Sequence, residues 1–135
     1  MVHYRPSRDR GPFRVQAMLG AALLLCVAAG VGVVAQTKRD FNVSAKKFRF
    51  TVSGTDAQEI KVSQNDLVRI TLEAEDIPHS FTLPDYRIQK RVEPGHEVMF
   101  EFRAEKAGRF EFHCSMTNDS CRERGMVGAL IVVAR

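Results

Sequence analysis

From Phe41 onward, apolar residues return at every second position in short runs, and turn-forming residues close each run. Phe41, Val43 and Ala45 make one set, and Phe48, Phe50 and Val52 the next, before the turn Ser53-Gly54-Thr55-Asp56. Ile60 and Val62 precede a break at Asn65-Asp66, and Leu67 to Leu72 follows it. Ser80 to Leu83 stops at Pro84, and Ile88 to Val92 runs into Pro94-Gly95. Val98, Phe100 and Phe102 alternate, as do Phe110 and Phe112, and Gly128 to Val133 closes the chain as an apolar run. A period of two bounded by Gly, Pro, Asn and Asp is the pattern of half-buried strands. No stretch after Gln36 sustains a period of 3.6, so helices are not expected there.

Seven or eight short strands within about a hundred residues predict an all-β, Greek-key β-sandwich. The expected core is Phe48, Phe50, Leu67, Ile70, Leu72, Phe81, Val98, Phe100, Phe110, Phe112, Leu130 and Val132. A chain of 135 residues has room for one such domain and little else.

The start of the chain is of a different kind. Arg5, Arg8, Arg10 and Arg14 face a single Asp9, and Val15 to Gln36 carries no charge. A basic start, an apolar run and the small-residue end Val33-Val34-Ala35 match a secretory signal peptide. At about 22 residues the run is also long enough to span a bilayer as an N-terminal hydrophobic helix. Its length favours the anchor, but cleavage after Ala35 stays open. Residues 1–36 are therefore read as signal peptide or membrane anchor, and residues 37–135 as a domain outside the cytoplasm, periplasmic in a bacterium, with the arginines kept inside.

Charge narrows the partners. The whole chain has 20 basic and 16 acidic residues, and four and one of these lie in residues 1–35, leaving a net of +1 beyond them. Nucleic-acid binding, which needs a concentrated basic stripe, is not expected. Lys46, Lys47 and Arg49 read as a solvated strand face. Cys26 sits inside the apolar run and is read as inert.

Chemistry gathers at two places. Ile77-Pro78-His79-Ser80-Phe81 holds one histidine; Phe112-His113-Cys114-Ser115, Cys121 and Gly125-Met126-Val127-Gly128 hold two cysteines and a methionine. Imidazole, thiolate and thioether form a soft ligand set that selects copper over magnesium, calcium or manganese. In a sandwich, His79 at the start of one strand and Cys114 at the end of another can meet at one pole. His113 neighbours Cys114 on a strand, so its side chain is expected on the opposite face. His96 follows Pro94-Gly95 and reads as solvated. Asn118-Asp119-Ser120 suits a tight turn, with Asp119 as a remote oxygen ligand. Arg122, Glu123 and Arg124 read as a charged rim able to steer a partner. No Ser–His–Asp grouping, phosphate-binding glycine loop or carboxylate pair is present, so an enzyme is not expected.

Residues 41–135 resemble the cupredoxins, the blue-copper electron-transfer proteins, and more distantly the copper domain of cytochrome oxidase subunit II. The likeness lies in Ala45-Lys46-Lys47-Phe48-Arg49-Phe50, Pro78-His79-Ser80-Phe81, Val92-Glu93-Pro94-Gly95, Gly108 to Ser115, and Gly125-Met126-Val127-Gly128. It implies His79 as first histidine, Cys114 as thiolate and Met126 as axial thioether. The family's second histidine lies five residues before the methionine, where this chain has Cys121. The loop from Cys114 to that position is a couple of residues longer than the usual form. The oxidase site uses two cysteines spaced by four and a histidine before the methionine, which this chain lacks.

Three readings of Cys121 stand side by side. In one, His79, Cys114, Cys121 and Met126 hold a single copper, favouring Cu(I) through two thiolates. The domain would then pass electrons, or store and deliver copper, with a redox protein or an oxidase-assembly partner. In another, Cys114 and Cys121 form a disulfide, as the compartment permits, and the fold is a metal-free interaction module. In the last, a dinuclear or partner-completed site forms.

Overall fold

The structure is a computed structural model. It describes Gly32, residues 36–53, Thr55 and residues 57–135. The expected N-terminal helix, Cys26 and the turn residues Gly54 and Asp56 lie outside the described residues. Among the described residues no helix is long and apolar enough to cross a membrane.

Among the described residues there are nine strands: β1 (Lys38–Lys46), β2 (Arg49–Val52), β3 (Glu59–Ser63), β4 (Leu67–Ala74), β5 (His79–Leu83), β6 (Ile88–Val92), β7 (Glu97–Arg103), β8 (Gly108–His113) and β9 (Val127–Val133). The expectation was seven or eight. Each of the nine follows one of the apolar runs read in the sequence, the first two forming a hairpin with Val43 opposite Val52.

One sheet has the order β2-β1-β4-β7 and the other β3-β9-β8-β5-β6. β1 runs parallel to β4 and β3 parallel to β9, while the remaining pairs are antiparallel. The two parallel pairs join strands that are not consecutive in the chain, so the connections between them cross over rather than turn back as hairpins. Asn65 turns the chain from β3 to β4 with φ +69°, a conformation its short polar side chain tolerates.

The core lies between the sheets. In β4 the inward residues are Val68, Ile70, Leu72 and Ala74, all buried. Leu67 is half-buried instead, because it is one residue out of phase with Ile70 and Leu72 and a pleated strand turns alternate side chains away. Phe48, Val98 and Phe110 pack only at the edge of the core. Its centre is aromatic: the rings of Phe81 and Phe112 stack with centroids 4.7 Å apart, and Phe50 meets Phe112 edge-on at 5.4 Å. Such contacts add to the area term that makes buried aromatics dominant in a core. The same period that buries Phe81 and Phe112 buries His79, two residues before the one, and Cys114, two residues after the other.

Candidate functional site

His79, Cys114, Cys121 and Met126 are all buried, each with 1% or less of its surface exposed. Strand order explains how they meet. β8 lies between β5 and β9, so the chain leaving β8 at Cys114 passes the start of β5 on one side and the start of β9 on the other. The Cys114 N–H donates to the Met126 carbonyl at 3.1 Å, and the Met126 N–H donates to the Cys121 carbonyl at 3.0 Å. On the other flank, the Ser115 N–H donates to Ser80 Oγ at 2.7 Å, and Ser80 Oγ lies 3.9 Å from Cys114 Sγ. Thr82 Oγ1 and Gln89 Nε2 also donate to Ser115 Oγ, at 2.9 and 3.3 Å. These polar clips fasten the cysteine loop to the strand that begins with His79.

Of the states anticipated for the cysteines, the structure carries the disulfide: Cys114 and Cys121 are bonded across seven residues of sequence. Cys121 Sγ also lies 3.3 Å from the Met116 carbonyl. A disulfide offers no thiolate. Accordingly, among the described residues no group of three or more His, Cys, Asp or Glu side chains is arranged to hold a metal ion.

The imidazole of His79 is held from one side only. Its Nε2 is 2.7 Å from Asp76 Oδ1, while Nδ1 is buried with no hydrogen-bond partner. A carboxylate accepts, so Nε2 carries a proton, and in the neutral ring Nδ1 then presents a lone pair. Asp76 is fixed in turn by the Ile77 N–H on Oδ1, at 2.7 Å, and the Lys47 N–H on Oδ2, at 2.8 Å. Partial burial opposes ionisation of Asp76, but the N–H groups of Lys47, His79 and Ile77 outweigh it and hold the carboxyl down at about 2. Asp76 had a signal in the sequence. A ligating histidine commonly donates its second ring N–H to a carboxylate, and Asp76 is the acid nearest His79 in the chain.

The donor chemistry can be judged on these facts. A neutral imidazole nitrogen with nothing to bond is costly in a dry interior, and a soft cation would satisfy it. As a disulfide the sulfur pair does not suit a metal. Reduced, the same pair with Nδ1 and the Met126 thioether makes one nitrogen and three sulfurs, a set that fits copper.

The remaining sequence candidates are peripheral. His113 alternates in sequence with the buried Phe112 and Cys114, and its side chain is 12% exposed. Burial and the charge of Arg122 push its pKa down, against the pull of Glu111. His113, Cys114, Ser115, Met116 and Ser120 line a cavity of about 360 Å³. Asp119 is half-buried. Arg122, Glu123 and Arg124 are exposed; Arg122 pairs with Glu111 at 2.7 Å and Arg124 sits 4.6 Å over the Phe48 ring. His96, Lys46, Lys47 and Arg49 are solvent-facing.

Solved structures share this architecture. A chain of a heme-copper terminal oxidase dimer is 20% identical with a TM-score of 0.65, covering 73% of this chain and 65% of its own length. The periplasmic domain of cytochrome oxidase subunit II, CoxB, of Bradyrhizobium japonicum is 22% identical with a TM-score of 0.63, covering 75% of this chain and 88% of its own. A mixed disulfide intermediate between thioredoxin-like TlpAs and the subunit II domain CoxBPD is 21% identical with a TM-score of 0.60, covering 75% and 85%. At such identity the likeness concerns the fold. The family described as cupredoxin-like domain matches residues 16–132, and this chain belongs to that family.

Proposed function

We propose that this domain is an extracytoplasmic copper-binding module whose site is closed as a disulfide and opens on reduction. The observation that carries the reading is the buried, unpartnered Nδ1 of His79, with its ring aimed by Asp76, at the pole that also buries Cys114, Cys121 and Met126. Two electrons and two protons convert the disulfide to two thiols, which lose their protons when they ligate. His79, Cys114, Cys121 and Met126 would then hold one ion. Two thiolates favour Cu(I), so copper bound there would serve delivery to an oxidase as well as one-electron transfer.

The partner we infer is a protein of oxidase assembly or electron transfer, and the reductant is a thioredoxin-like dithiol. The mixed disulfide formed by TlpAs with CoxBPD, a domain of the same fold, supports that choice. Residues 15–36 would tether the domain to the membrane if uncleaved. No enzymatic role is proposed. A second reading, a metal-free module on the same fold, is favoured by the disulfide itself.

One experiment separates them. Full-length protein carrying Cys26→Ser is isolated without reductant, its thiols are counted, and it is then reduced and titrated with Cu(II) and Cu(I). The expected result is no thiols at first and two after reduction. A visible thiolate-to-copper band or retained Cu(I) should follow, lost in His79→Ala. A reduced protein that stays colourless and retains no Cu(I) overturns the copper reading and leaves the metal-free one.

A further inference from the structure

Gln58 ties β2 to the stretch Gly125–Ala129, which is remote from it in sequence. Its backbone carbonyl accepts from the Ala129 N–H at 2.9 Å, in β9. Its side-chain Oε1 accepts from the Phe50 N–H at 2.9 Å, in β2 of the opposite sheet. Its Nε2 donates to the Gly125 carbonyl at 3.3 Å. A primary amide has an acceptor end and a donor end, and here the two ends are spent on opposite sides of the gap between the sheets.

The third bond is made at the residue before Met126. Gly125 has φ +107°, where a side chain would be strained, and this turn aims the chain into the core. Met126 is buried, and its backbone bonds go to Cys114 and Cys121, partners that belong to the same loop. The Gln58 amide instead ties that loop to β2. A flexible thioether adapts to its surroundings, but the range its sulfur can reach starts from a Cα that the backbone at Gly125-Met126 sets. A weak axial sulfur also tunes the affinity and potential of a copper centre.

We infer that Gln58 is the positioning residue for Met126, a clip between the sheets that fixes how far the thioether extends into the site. The consequence for copper rests on the function proposed above; the clip itself does not.

The test is Gln58→Glu in the full-length chain. The carboxylate keeps an acceptor for Phe50 and has no proton to give to Gly125. In the oxidised, metal-free protein the Met126 methyl resonance should shift, and the Val127 amide, bonded to the Gly125 carbonyl at 2.9 Å, should exchange several-fold faster. In the reduced protein Cu(I) affinity should fall roughly tenfold, the low end for lost outer-shell partners. Gln58→Asn, too short to span both bonds, gives the same signs without a new charge. Unchanged methyl resonance and exchange in either folded variant overturn the inference. If the wild-type chain takes up no copper, the proposed function falls, while the methyl and exchange data still decide the clip.

Discussion

Asp76 Oδ1 stands 2.7 Å from His79 Nε2, and it is the only hydrogen-bond partner the buried ring has among the described residues. The carboxylate thus chooses the tautomer. It leaves Nδ1 as the nitrogen with a lone pair and nothing to do in the metal-free protein. His113 Nδ1 is likewise buried without a hydrogen bond, so what singles out His79 is its orphan nitrogen together with its place at the pole that buries Cys114, Cys121 and Met126.

Replacing Asp76 by Ala strips the acceptor from His79, Ile77 and Lys47 together. Leaving a buried donor unpaired costs about 1–3 kcal/mol, so Asp76→Ala should unfold at lower denaturant with an unchanged slope. The imidazole 15N shifts of His79 should also lose the single-tautomer pattern. Chemical denaturation and nitrogen NMR on the full chain check the two effects.

Acid should act through the same group. Asp76 is depressed from 3.8 to about 2 in the fold, so its ionised form is the one the fold favours. Its contribution is present above pH about 3.8 and fades as pH falls through about 2. The stability gap between wild type and Asp76→Ala should therefore be constant near neutrality and close at the acid end. Paired denaturation curves across that range measure it.

At the other extreme, Tyr86 titrates above its usual range, because burial disfavours the phenolate and the charges of Glu105 and Asp85 add to it, against the Lys106 N–H. A raised acid contributes stability below pH about 10 that is lost as pH rises past the folded value. Tyr86→Phe keeps the ring contacts with Phe102 and Phe110 and should flatten this alkaline limb in thermal unfolding scans.

Gly128 has no room for a methyl group. A Cβ there would lie 2.3 Å from the Phe112 ring and 2.5 Å from the Gln58 carbonyl. Gly128→Ala must push the central aromatic or the β3–β9 edge aside. Overpacking of this kind costs typically 1–3 kcal/mol, and a fall in melting temperature with altered Phe112 ring resonances should report it.

The alternation of apolar residues told most of the fold, since each strand follows the run that marked it. It failed where phase mattered more than hydrophobicity: Val68 is buried and Leu67 is not, because only one fits the register of Ile70 and Leu72. The burial of His79 and Cys114 was equally readable, because period two puts them in line with Phe81 and Phe112. Gln58 was not readable. Nothing in a polar residue between two turns announces bonds to Phe50 and Gly125, which are adjacent only after both sheets have closed. The state of the cysteines lay beyond sequence too, since spacing allows both a bond and a shared metal, and the redox poise around the protein selects between them.

The disulfide also has a stability of its own. Closing a loop of this size contributes about 2 kcal/mol by chain entropy, so reduction should lower the melting temperature by roughly 10 °C for a domain near 100 residues. A ligand that binds only the folded, reduced protein should restore it; calorimetry with reductant, and with reductant plus Cu(I), reads both steps.

The most direct measurement is a Cu(I) competition titration, against a chromogenic chelator, of full-length Cys26→Ser protein in its oxidised and reduced states. The account predicts one Cu(I) per chain withheld from the chelator by the reduced protein, none by the oxidised protein, and none by reduced His79→Ala. Failure of the reduced protein to withhold Cu(I), or equal retention by the disulfide form, would contradict it.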